Sequence, residues 1–218
     1  LLENAALAFQ ATRDWVGQVD AAHCQGVLAR LEARPEEAAD HYAQMLRLNR
    51  SDLRREAVAL FGLVESSIAA GRLKGIDRTV ERLRLVARES GDTRNIAQAT
   101  FAGGLLHLRR RNLQDAERYF LTARALAATL GADNLLLACL SHLAEISRYR
   151  GDDADAEETL RVAARLATER GWLVHAATSR IQLGLLALVR RADRLAHIEI
   201  ARAEKNLAAH PHHLGWIS

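Results

Sequence analysis

Residues 112–131, NLQDAERYFLTARALAATLG, and residues 152–171, DDADAEETLRVAARLATERG, lie over one another slot for slot. Ala116 falls on Ala156, Phe120 on Leu160, Ala123 on Ala163 and Gly131 on Gly171, each pair 40 residues apart. Gly91 stands one step further upstream, and Ala196 one step further down. A fixed period of this size marks an array of stacked supersecondary units.

Working outward, the slots ahead of these stretches repeat too. Small residues recur at Gly26, Gly104, Ala144 and Gly184, where a first helix is expected to cross its partner. A second small slot, Ala38, Ala116, Ala156 and Ala196, lets the second helix approach. Four residues later Tyr42, Val80, Phe120, Leu160 and Ile200 lie on the same face and are expected to fill the core. Val64 and Ile76 replace the small residues in one block, which predicts a splayed or shifted hairpin there. Gly71 and Gly151 suit turns within a pair; Gly91, Gly131 and Gly171 suit the left-handed position that ends a second helix. Asp92 and Asp133 follow closely as candidate N-caps. The expected hairpins run over about 15–50, 54–91, 93–131, 133–171 and 173–209, with 1–13 as a half repeat. Together, 1–218 reads as a single all-α repeat domain, a right-handed solenoid of antiparallel hairpins. The start in mid-helix pattern, without Met, reads as a fragment of a longer protein.

Composition agrees with a helical array. Hydrophobic residues make up 49% and charged residues 26%, enough for both a core and a solvated surface. The net charge of +3 is too mild on a long surface to argue for nucleic acid. No apolar run reaches the roughly 20 residues that span a bilayer. Cys24 and Cys139 sit in apolar helical contexts and read as two unpaired core thiols, which fits a reducing, cytoplasmic setting.

The small–small–aromatic–Ala spacing resembles the tetratricopeptide repeat over nearly the whole chain. The step of 40 departs from the usual period of about 34, and the family's common Trp, Tyr and Pro are mostly missing. Long repeats with Gly after the second helix look like the sensor domains of MalT-like bacterial regulators of the LuxR type. That resemblance implies a position between a nucleotide-binding switch domain and a DNA-binding domain. It also implies a concave groove walled by the first helix of each pair.

The residues matching the groove slots form rows. One is His23, Phe61, Phe101, Ser141 and Ile181; the next is Val27, Glu65, Leu105, Glu145 and Leu185. A third is Arg30, Ile68, Leu108, Arg148 and Leu188, flanked by Arg109 and Tyr149. They describe an apolar trough broken by Ser141, Glu145, Arg148 and Tyr149, with Glu145 and Arg148 spaced to pair. The candidate groove set is Phe61, Glu65, Phe101, Leu105, Arg109, Ser141, Glu145, Arg148, Tyr149 and Ile181. Such a trough suits an amphipathic helix, an extended peptide or a small effector. The alternative is that Phe61, Phe101 and Tyr149 only pack between repeats and that Glu145 and Arg148 are solvated surface.

No nucleophile, acid and base converge, so no enzyme, catalytic residue or cofactor is expected. His210, His212 and His213 are metal-competent imidazoles without carboxylate or Cys at helical spacing, and no metal site is read there. His107 and His142 read as satisfied polar groups rather than bases. The Arg109-Arg110-Arg111 run reads as a solvated turn, with contact to phosphate or an acidic partner as the other choice. The expected function is partner binding or effector sensing in a multidomain regulator, with a protein or peptide partner or a small effector. No direct contact with nucleic acid or membrane is expected. The alternative is a passive scaffold or self-association module, with homo-oligomers.

Overall fold

The computed structural model describes residues 2–208; the histidines at 210, 212 and 213 lie outside the described residues. Eleven α-helices and no strand occur among the described residues. In chain order they are α1 (Leu2–Ala11), α2 (Trp15–Leu31), α3 (Pro35–Leu48), α4 (Leu53–Ala69), α5 (Ile76–Ser90) and α6 (Thr93–Arg109). There follow α7 (Leu113–Thr129), α8 (Asp133–Arg150), α9 (Asp153–Glu169), α10 (Leu173–Val189) and α11 (Asp193–Ala208). Consecutive helices pair as hairpins, and the fold is an all-α helical repeat of tetratricopeptide type. Packing divides the chain into two compact units, Leu1–Tyr119 and Phe120–Ser218, with the boundary inside α7.

The local reasons for these helices are visible in the termini. Gly91, Gly131 and Gly171 adopt φ of +63°, +61° and +71°, a region that costs a residue bearing a Cβ about 1–2 kcal/mol. Asp92 caps α6 by accepting from the Arg94 amide at 2.9 Å, and Asp52 caps α4 through the amides of Arg54 and Arg55. Asp133 differs from its expected role. It is the first helical residue of α8, and its carboxylate pairs with Arg170 at 3.1 Å instead of capping.

The first unit is built around Tyr42. Its buried ring lies between α2 and α4, where a Cβ on Gly26 would stand 3.0 Å from it and one on Gly62 only 2.4 Å. The two glycines therefore make the slot that the ring fills. Val19, Ala22, Ala29, Ala38, Met45 and Ala59 close the same cluster. The α4/α5 hairpin takes the substitutions Val64 and Ile76 in place: both are buried. Its difference lies in the connection. The other described hairpins restart after a short turn, whereas residues 70–75 form a longer loop and α5 begins only at Ile76, after Gly75 at φ +79°. From there Ile76, Val80, Leu83, Val86 and Ala87 put one apolar stripe into the core.

In the second unit α9 packs against α8 and α10, and α10 against α11. Ala144, Ala156, Leu160, Leu183 and Leu186 form one cluster; Leu137, Leu140, Ala163, Ala167 and Ala176 form the next. Ile200 departs from the expected core role. It lies over Gly184 but remains partly exposed. Cys139 is buried, whereas Cys24 is exposed on the outer face of α2, so only one of the two thiols belongs to the core.

Arginines bind successive hairpins to one another within each unit. Arg72 reaches Asp40, Arg110 reaches Asp77, and Arg190 reaches Glu157, each spanning from the end of a first helix to the preceding second helix. The Arg72 and Arg110 pairs are largely exposed and contribute roughly 0.2–1 kcal/mol apiece, whereas the Arg190–Glu157 pair is half-buried. Arg110 is thus held by a carboxylate of its own chain rather than offered as a phosphate ligand.

Candidate partner-binding cleft

The first-helix rows take different environments in the two units. On α4 and α6 they are largely closed. Phe61 and Phe101 meet edge to face with ring centroids 6.2 Å apart, and Phe101 is 1% exposed. Leu105, Ile68 and Leu108 are buried beside them. Glu65 is engaged by Arg30 at 2.8 Å, and burial raises the pKa of the Tyr42 phenol nearby. His23 lies near the Tyr42 ring, and burial lowers its pKa. Arg109 is exposed at the last residue of α6. Of the expected trough in this unit, Phe101 and Leu105 are wall rather than open surface.

On α8 and α10 the same rows open onto a cleft of about 510 Å³. Ser141, Glu145, Arg148 and Tyr149 line it from α8; Gln182, Leu185 and Val189 line it from α10. The α8 set, spaced i, i+4, i+7 and i+8, and the α10 set, spaced i, i+3 and i+7, each fall on one helix face. The α8 stripe is polar, whereas the α10 stripe, Ile181, Leu185, Leu188 and Val189, is apolar and exposed, with Val189 at 72%. Ile181 lies one turn before Leu185, outside the lining itself.

The polar stripe is wired differently from the spacing rule. Glu145 accepts from the Tyr149 hydroxyl at 2.9 Å and contacts the His142 Nδ1 at 3.1 Å. The His142 ring stacks on Phe120, centroids 5.0 Å apart, which holds the imidazole in place. Arg148 therefore does not pair with Glu145. Asp153, the other carboxylate of the cleft, is met by Arg190 at 3.4 Å. Among the described residues no carboxylate pairs with Arg148, so its guanidinium can receive an anionic group of an occupant. An anionic group set beside the α10 leucines is the chemistry that this arrangement accommodates.

Other titratable groups are placed away from chemistry. Burial pushes the Cys139 thiol up to about 12, which makes it inert as a nucleophile. Burial also lowers the pKa of His175, which meets Trp172 edge to face. His107 stacks on Tyr119 with its Nδ1 3.8 Å from Asp115. Among the described residues no cluster of His, Cys, Asp and Glu could hold a metal ion, and no helix is long and apolar enough to cross a membrane.

No protein-family model matches the chain, and no curated protein matches its sequence. Solved structures do match its fold. BtubC (BKLC) from P. vanneervenii superposes with a TM-score of 0.67 at 17% identity, covering 95% of this chain and 87% of that one. A Rap protein complexed with competence and sporulation factor gives a TM-score of 0.77 at 15% identity, covering 88% of this chain; the match spans 54% of the Rap chain. TPR-like repeats of a putative kinesin light chain from Podosopora anserina give 0.58 at 13% identity, covering 88% and 96%. At such identities the likeness concerns the fold, and the fold is the tetratricopeptide-like helical repeat.

Proposed function

We propose that this chain is a partner-binding helical-repeat module whose working surface is the cleft between α8 and α10. The observation that carries this reading is the pairing of stripes at equivalent repeat slots. One stripe is polar and carries Arg148 without a carboxylate partner, and the other is apolar and exposed from Ile181 to Val189. An exposed apolar stripe at helical spacing is a seat for an amphipathic helix or an extended peptide with apolar anchors. The Rap structure, which holds competence and sporulation factor on a related scaffold, supports a protein or peptide partner over a reaction. A small effector in the same cleft is the narrower form of this proposal.

The wider context that we propose is a sensor segment of a MalT-like cytoplasmic regulator, in which occupancy of the cleft biases an attached switch. Such a device requires the ligand to bind one of two states more tightly. The period of 40 and the helix-ending glycines support this reading. Two measurements test it. A panel of synthetic amphipathic helices is titrated by fluorescence anisotropy against the native chain and against a variant carrying Ser141→Ala, Glu145→Ala, Arg148→Ala and Tyr149→Ala. Binding is expected to fall while far-ultraviolet dichroism is unchanged; unchanged affinity removes the cleft from the account. The parent reading frame tests the context: a nucleotide-binding domain before this segment and a DNA-binding domain after it are expected, and the absence of both rejects the regulator.

A further inference from the structure

Three equivalent hairpin tips can be compared, and one breaks the pattern. In the α6/α7 tip, Asn112 caps the second helix by accepting from the Asp115 amide at 3.3 Å, and Asp115 also takes a bond from the Asn112 side chain. In the α8/α9 tip, Asp152 accepts from the Asp155 amide at 3.1 Å, and Ser147 donates to the Asp155 carboxylate at 2.5 Å. The matching positions of the α10/α11 tip are Ala187, Ala192 and Leu195. There the Leu195 amide is met only by the Ala192 carbonyl, at 2.9 Å. One turn on, Arg118 and Glu158 are replaced by Ile198.

Truncated stacking does not explain these apolar residues. Asp155 and Glu158 are exposed even though α9 is packed against α10, so their slots face solvent within the array. Leu195 and Ile198 occupy the same slots at 36% and 40% exposure. They line a shallow surface with Arg191, Ala192, Asp193 and Arg194, which shares no residue with the cleft. Among the described residues neither Arg191 nor Arg194 pairs with a carboxylate. Asp193 sits in the first turn of α11, where the helix dipole already favours it. The rim is therefore net positive around an apolar ridge.

We infer that the α10/α11 tip is a second docking surface, and that its occupant is an acidic amphipathic helix of a partner protein. Leu195 and Ile198, three apart, form a ridge of the kind that helices pack against. Arg191 and Arg194 offer planar guanidinium groups to carboxylates flanking the partner's apolar face. A second copy of this chain would bring its own arginines against these, which disfavours self-pairing through the tip.

The test uses the full chain and two labelled synthetic helices, one with a leucine face and glutamates elsewhere, the other with lysines in place of the glutamates. The native chain is expected to prefer the acidic helix. The double variant Leu195→Asp, Ile198→Glu copies α9 and should weaken binding about tenfold or more. The variant Arg191→Glu, Arg194→Glu should reverse the preference. Leu195→Gln serves if the double variant loses helicity. The cleft variant Leu185→Ser should leave tip binding intact. Equal affinity for the two helices, or no effect of the tip variants, overturns the inference. Loss in the cleft variant alone also overturns it and assigns the peptide to the cleft. Leu195-dependent binding to phosphatidylserine vesicles, without binding to the helix, replaces the partner with a membrane surface.

Discussion

Phe101, Leu105 and Leu108 in the first unit and Ser141, Glu145 and Arg148 in the second fill matching repeat slots, yet the first set is buried and the second lines an open cleft. The backbone supplies a helix of similar length in both. The side chains decide whether the slot becomes wall or surface. Large apolar residues bury against each other between α4 and α6, since each fully buried side chain gains roughly 1.5–3 kcal/mol over exposure. A polar stripe facing the apolar stripe of α10 cannot close without stranding Arg148 and Glu145, and so a cleft persists. In this chain, then, an open cleft is found where consecutive repeats disagree in polarity at a shared slot.

The largest expected effect breaks the closed side of this comparison. Phe101→Ala removes a ring that is 1% exposed and leaves a cavity against Phe61. A loss of about 3–5 kcal/mol in denaturant unfolding is expected. A loss below about 1 kcal/mol would mean that the row is loosely packed and is open surface after all.

Next comes the slot beneath Tyr42. A Cβ on Gly62 would lie 2.4 Å from the ring, which is buried between α2 and α4 with little room to swing clear. Gly62→Ala is expected to cost about 1–3 kcal/mol, despite the higher helix propensity of Ala. The matched substitution Gly26→Ala, with its contact at 3.0 Å, should cost less. Thermal unfolding of the two variants ranks them, and equal stability would show that Tyr42 is not pinned.

What was legible in the sequence follows the same division. The helical repeat was legible because packing at Ala38, Tyr42, Ala156 and Leu160 demands size, and size recurs with the period. The left-handed glycines were legible because a Cβ is costly in the conformation that Gly91, Gly131 and Gly171 adopt, although Ser51 takes it one step earlier. The polar partners were not. Glu145 turns to His142 and Tyr149 rather than to Arg148, and Arg110 crosses to Asp77 in the preceding hairpin. Spacing along one helix shows which side chains share a face, but long side chains choose among several partners on neighbouring helices. Cys24 illustrates the converse: an apolar neighbourhood in sequence wraps around α2, and only the face toward Tyr42 is core. The cleft lay within the expected rows, whereas the tip at Leu195 escaped notice because its signal is a departure from the repeat.

A smaller effect sharpens the contrast between hairpin tips. Asp152→Ala removes the side-chain cap of α9 and should cost about 1 kcal/mol. The reverse change, Ala192→Asp, gives α11 the cap its sibling has and should gain about 0.5–1 kcal/mol. Paired denaturant curves check the symmetry. If the gain is absent while the loss is present, the α11 terminus is satisfied by another route, and the apolar tip owes nothing to a missing cap.

The smallest expected effect on stability carries the largest consequence for function. Tyr149 is an exposed side chain on the polar face of α8, where its hydroxyl meets Glu145. Tyr149→Ala removes one solvent-accessible hydrogen bond and little buried area, so unfolding should move by less than about 0.5 kcal/mol. Glu145 would still be held by His142, and the helix would persist. The cleft, however, would lose the ring that forms its wall opposite Val189. Affinity for any occupant of the cleft should therefore fall while stability does not, the opposite of the outcome expected for Phe101→Ala. If Tyr149→Ala instead destabilises the fold by as much as a core truncation, the open row is structural after all. The polarity mismatch between α8 and α10 would then be a packing solution rather than a binding surface.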